Sequence, residues 1–212
     1  MPISHEIKSQ LAKLLATEDI IVENRSVETA QFNVETRVLT LPLWDRASNS
    51  VYDLLVGHEV GHALFTPNVD PPKEVPHSVF NIVEDARIEK LMKRRYPGLS
   101  KSFFKGYKEL SDRDFFCISG EDISKMSLPD RVNLYFKIGS HVSISFDNIE
   151  KPIVQMIAEC ETFEDAIAAT RKLYEFCESK DQEKSSVPAS HNKSSESSGE
   201  SDSTEENGIN PA

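Results

Sequence analysis

The sequence predicts an α+β fold: a mainly helical domain over 1–178 with a small N-terminal β-sheet, then a disordered acidic tail over 179–212. Three observations carry this reading. Apolar residues recur at helical spacing along most of the chain. The stretch 27–43 is instead rich in β-branched residues. From Ser179 onward the composition shifts to Ser and Glu, and Ser194–Ser203 holds no apolar residue that could offset the entropy of ordering.

The elements follow in order. Residues 5–18 set Ile7, Leu11, Leu14 and Leu15 at helical spacing, which predicts a short amphipathic helix buried on that stripe. Residues 27–43 predict two strands joined by the polar Glu35-Thr36-Arg37, with Pro42 at a strand end or edge. A helix over 50–65 is capped by Ser48 or Asn49 and buries Val51, Leu54, Leu55 and Leu64. A Pro-rich loop, 66–75, leads to a second helix from about Pro76 to Arg95, stopped by Pro97-Gly98. Residues 99–126 show no clear pattern. Ser127-Leu128-Pro129-Asp130 opens another helix. Residues 150–178 hold one more, with a capping-box start at Thr162 and a stripe of Ala166, Ala169, Leu173 and Phe176.

Composition excludes several function classes. The chain has 212 residues and a net charge of −11, which argues against a nucleic-acid binder. Three widely spaced cysteines, Cys117, Cys160 and Cys177, predict reduced thiols that pack as small core residues. No apolar run approaches 18 residues, so no membrane span is expected. Met1 to Glu6 lacks the features of a signal peptide, and a cytoplasmic location is expected.

The chemistry centres on His58-Glu59-Val60-Gly61-His62. Histidines at i and i+4 share one helix face, so both imidazoles can reach one metal, for which zinc is the expected ion. Glu59, beside them, is placed to act as general base on a zinc-bound water and then as proton donor to a leaving amine. The competing reading is a solvated His-Glu-His helix face. Uncharged Val60 and Gly61, with Leu54, Leu55, Leu64 and Phe65 around them, favour a buried face, where unpartnered histidines would be costly.

Zinc needs a third protein ligand. A third histidine six residues after the second is excluded, because Asn68 stands there and Phe65 replaces the intervening glycine. A carboxylate from the following helix is the alternative. Glu84 shares the apolar face of Phe80, Ile88 and Leu91 and is the preferred ligand. Asp85 lies with Asn81 and Glu89 on a face that looks more solvated. It is either a partner that hydrogen-bonds a ligand histidine or the ligand itself. An intrahelical Glu84–Arg87 pair is the competing role for Glu84. The strand 37–42, if at a sheet edge, could bind an extended substrate by strand addition; a core strand is equally compatible. His77, Arg87, Tyr96, Tyr107 and His141 are candidates to stabilise an oxyanion, without a signal that selects one. His5 and His191 carry no functional pattern.

The motif His58–Phe65 (HEVGHALF) with the upstream 37–42 (RVLTLP) resembles the zincin metallopeptidases, and within them the carboxylate-ligand branch, the gluzincins. That helix usually carries Glu-x-x-x-Asp; here Ile88 stands where the aspartate would be. Together with Val83–Glu89 and the Ser/Glu tail, the chain is similar to phage-encoded peptidase-like proteins of T4-type viruses related to the cobalt-chelatase T subunit. The resemblance spans about 25–95. It implies a protein or peptide substrate and the host cytoplasm as location. It also implies an association with a MoxR-type AAA+ ATPase and a von Willebrand A domain. Ser201-Asp202-Ser203 is not the DxSxS metal-adhesion motif of such a domain. The resulting expectation is a zinc metallopeptidase with His58, His62 and Glu84 as ligands. The alternative is a non-proteolytic, zinc-stabilised interaction module.

Overall fold

Two hydrophobic cores share two helices. In the computed structural model, which describes residues 4–44 and 47–185, the elements run α1 (His5–Ala16), β1 (Ile21–Arg25), β2 (Gln31–Asn33), β3 (Val38–Pro42), α2 (Asn49–Phe65), α3 (His77–Arg95), α4 (Leu99–Asp112), a 3-10 turn (Ile123–Lys125), α5 (Leu128–Ile138), α6 (Lys151–Glu159) and α7 (Phe163–Ser185). The first core gathers α1, β3, α2 and α4 around Leu39, Leu41, Tyr52 and Phe103. The second gathers α5, α6 and α7 around Val132, Ile157 and Leu173. α3 and α5 serve both, with Met92, Leu134 and Ile138 in the first and Val83, Leu128 and Val132 in the second. The fold is α+β and mainly helical, as expected.

The sheet differs from expectation. Its order is β1-β3-β2, so β3 is central and not an edge. β1 runs parallel to it, Ile21 opposite Val38, and β2 antiparallel, Phe32 opposite Leu39. Strand addition of a substrate to 37–42 is therefore excluded, because both sides of β3 are taken. Val27 and Thr29 lie outside the strands, whereas Ile21–Arg25 forms one that periodicity did not mark. Parallel pairing joins residues distant in sequence, and no local pattern announces it.

α1 buries a face rotated from the expected stripe: Leu11 and Leu15 pack against the first core. Ile7 is 61% and Leu14 76% exposed, while Lys8, Ala12 and Ala16 are buried. Two alanines let α1 lie close to its neighbours, and the Lys8 ammonium is matched by Asp53 at 2.5 Å. Three other helices, α2, α5 and α7, start where their caps predict. Ser48 Oγ accepts from Val51 N, Ser127 Oγ from Asp130 N, and Thr162 and Asp165 cap one another reciprocally. The unpatterned stretch 99–126 contains α4, and 150–178 contains two helices rather than one. α7 runs through Ser185, past the expected boundary at 178; the remainder of the expected tail lies outside the described residues. No helix among the described residues is long and apolar enough to cross a membrane.

Two glycines of α2 set its distance to its neighbours. A Cβ on Gly61 would come within 2.8 Å of Ile88 Cδ1 and 3.0 Å of Met92 Cγ, both on α3. A Cβ on Gly57 would meet the Phe103 ring of α4 at 2.8 Å. The glycine inside the motif thus lets α3 approach α2 closely enough for short side chains to meet across the gap.

Candidate metal centre

His58 and His62, one turn apart on α2, project toward α3 with ring centroids 5.1 Å apart. Asp85 of α3 reaches both. Its Oδ1 lies 3.5 Å from His58 Nε2 and 3.2 Å from His62 Nε2. Among the described residues, these three form the group whose donor atoms could hold a metal ion.

The Nδ1 atoms face away from that point and are separately held. His58 Nδ1 meets Glu89 Oε1 at 3.0 Å, and the buried Tyr107 hydroxyl donates to the same oxygen. His62 Nδ1 lies 3.0 Å from Thr66 Oγ1. The Thr66 hydroxyl donates its proton to Glu84 Oε1 at 2.5 Å, so its oxygen must accept from His62 Nδ1–H. In the neutral ring this places the proton on Nδ1 and leaves the Nε2 lone pair for a metal. In the same way, the Glu89 carboxylate accepts from His58 Nδ1–H and leaves Nε2 as the donor atom. Two imidazole nitrogens and one carboxylate oxygen, each oriented by a further hydrogen bond, fit a zinc ion.

Glu84, the preferred third ligand on sequence grounds, is not in this group. Its carboxylate forms a two-pronged pair with Arg87, Nε to Oε2 at 2.8 Å and Nη2 to Oε1 at 2.6 Å, and both residues are buried. Arg87 also donates to the carbonyls of Phe65 and Glu161. The apolar face of α3 does bury Glu84, but the guanidinium matches its charge, so no metal is needed there. The polar face that looked solvated turns toward α2: Glu89 is 3% exposed. The carboxylate pair at i and i+4 is present one residue later than anticipated, as Asp85 and Glu89.

Lys137 of α5 completes the arrangement. Its Nζ lies 2.9 Å from Asp85 Oδ2, so one carboxylate oxygen is held by the ammonium while the other faces the histidines. Burial disfavours the charge on Asp85, but His58, Lys137 and His62 outweigh it and hold the carboxyl far below its usual range. Burial likewise opposes the imidazolium of His58, yet Asp85 and the bond to Glu89 raise it to about 9 in the absence of a metal. Glu59 is buried and lines the same cleft. Burial pushes its carboxyl up, against the pull of His58 and His62. It forms no hydrogen bond or ion pair with the described residues, which leaves the carboxylate free to take a proton.

The remaining candidates divide clearly. Arg87, Tyr107, Tyr96 and His141 are engaged elsewhere: with Glu84, with Glu89, with the Leu15 carbonyl and with the Phe104 carbonyl, respectively. Two of the five line the cleft, Tyr107 and, from the start of α3, His77. Cys160 is buried, and burial pushes its thiol up to about 11, whereas Cys117 is exposed and not a core residue. His5 packs edge-on to Tyr52, and His191 lies outside the described residues. Lys137, Thr66 and the anchoring role of Glu89 were not anticipated. Thr66 four residues after His62 and Glu89 four after Asp85 are visible spacings; Lys137, brought in by another helix, carries no local signal.

The cleft has a volume of about 610 Å³. Its walls include β2 with the residues before it, the side of α2 that carries His58 and His62, the loop Thr66–Pro71 and the start of α3. No family model matches the chain, and no curated protein or solved structure does.

Proposed function

We propose that this protein is a zinc-dependent peptidase, with His58 Nε2, His62 Nε2 and Asp85 Oδ1 as the metal ligands and Glu59 as the general base. The observation that carries the reading is the double anchoring of the histidines. Glu89 holds one Nδ1 and Thr66 the other, so both Nε2 atoms converge on a single carboxylate oxygen beside an open cleft. Bound there, zinc would act as a Lewis acid on a peptide carbonyl and make an attacking water more acidic.

The chain's own groups supply the rest. Glu59, with its carboxyl raised by burial, takes a proton from the water and returns it to the departing amine nitrogen. Lys137 keeps Asp85 from rotating, since rotation would break the bond to Oδ2. Glu89 with Tyr107, and Thr66 with Glu84, keep both rings in register. The preference for Asp85 over Glu84 replaces the ligand set expected from sequence.

The test is elemental analysis of the purified chain beside His58→Ala/His62→Ala, followed by peptide hydrolysis with and without Glu59→Gln. About one zinc per chain, lost in the double variant, with hydrolysis abolished and zinc retained in Glu59→Gln, is the expected result. Hydrolysis surviving in Glu59→Gln would refute the mechanism. Zinc without hydrolysis in the wild type would point instead to a metal-stabilised interaction module.

A further inference from the structure

We infer that the cleft selects a peptide segment carrying a bulky apolar side chain, seated against the aromatic turn Phe115–Phe116. This rests on the peptidase reading for its context, not for its test. Two aromatic pairs line the cleft. Phe80 of α3 packs edge-on to Phe163 at 5.6 Å, and Phe115 packs edge-on to Phe116 at 5.5 Å. The second pair is continuous with the metal centre. Phe116 lies 6.3 Å from the Tyr107 ring, whose hydroxyl holds Glu89 behind His58.

The turn is unusual in its backbone. Asp114 and Cys117, which bracket the two phenylalanines, both adopt φ of +53°, a left-handed conformation that residues with a Cβ rarely take. Asp114 offsets some of the cost: its Oδ1 accepts from Ile118 N and Ser119 N at 2.8 and 2.9 Å. The outcome is a phenylalanine left 45% exposed at the cleft, where burial in the core would have been the stable choice. Strained backbone that presents an apolar side chain beside a reactive cluster is a mark of a binding wall.

Charge decides the class of occupant. Among the described residues, Lys137 is the one lysine or arginine in the lining, and Asp85 already pairs with it. An acidic side chain here would lose water without gaining a partner. Of the lining carboxylates, Glu84 and Asp85 are paired and Glu59 is the proposed base; Asp70, exposed on the 66–71 loop, is left for a basic side chain, and it sits in water. A large apolar side chain has the most to gain, because the aromatic wall removes its surface from water at no polar cost.

The experiment uses the full chain carrying Glu59→Gln, loaded with zinc so that peptides bind without being cleaved. Capped Ala-Ala-Phe-Ala-Ala is titrated by calorimetry against versions with Asp, Lys or Ala in place of Phe. The phenylalanine peptide should bind roughly 10- to 100-fold tighter than the others. Phe115→Ala with Phe116→Ala should bring the four peptides within about threefold of one another, and Phe115→Leu should retain most of the preference. Equal binding of all four, a preference untouched by the double variant, or no binding at all overturns the inference. Wild-type hydrolysis without preference would leave the peptidase reading intact and remove the subsite. Preference without hydrolysis would do the reverse.

Discussion

The Oδ1 atom of Asp85 lies 3.2 Å from Nε2 of His62, and this contact between two helices defines the centre. It is formed by the residue next to the one that sequence alone favoured. Asp85 and Glu84 are neighbours on α3, yet one turns to the histidines and the other to Arg87.

That division separates two variants. Asp85→Asn should lower zinc affinity by more than about 100-fold, because a neutral amide replaces an anionic ligand, and it should also cost stability, because the Lys137 ammonium loses its carboxylate. Glu84→Gln should keep about one zinc per chain but lose about 3–5 kcal/mol of stability, since it breaks a buried ion pair. Zinc titration and urea unfolding of both variants check this. The opposite pattern would return the ligand role to Glu84.

Glu89→Gln should weaken zinc binding by about 10- to 100-fold without abolishing it, because Glu89 orients His58 rather than touching the metal. Tyr107→Phe should act in the same direction and more weakly, as it removes one of the bonds that position Glu89. A competition titration against a chromophoric chelator reads both.

Gly61→Ala should cost about 1–3 kcal/mol despite the better helix propensity of alanine. Its new methyl would press on Ile88 and Met92 and push α3, with Asp85, away from α2. Zinc affinity should fall together with the thermal midpoint. A variant as stable as the wild type, with unchanged affinity, would show that the close approach of the helices is not required.

The Arg131–Glu150 pair sets a pH dependence away from the centre. The hydrogen bond from Arg131 holds the Glu150 carboxyl below its ordinary value of 4.5, against a smaller opposing effect of burial. A group with a lowered folded pKa contributes stability above its unfolded pKa and loses it as pH falls through the folded value. The contribution should therefore be constant from neutral pH down to about 4.5 and decline below it. Urea midpoints across this range should show Glu150→Gln less stable at pH 7, with a shallower loss on acidification. Parallel curves would show that the pair carries none of the acid sensitivity.

Much of this protein is legible in its sequence because the signals are local. Ser48, Ser127 and Thr162 start helices through bonds to residues three positions on, so caps and motif can be read directly. His58 and His62 share a face because four residues make about one turn. The tertiary structure alone decided which carboxylate meets them. Glu84 and Asp85 point about 100° apart around α3, and the face turned to α2 depends on how Gly61, Ile88 and Met92 pack. The same holds for β3, made central by the distant Ile21–Arg25, and for Lys137, brought to Asp85 by α5. A helix's periodicity says that one face is buried and another polar. Whether the polar face meets water or a second set of polar side chains is settled by the packing of elements far apart in the chain.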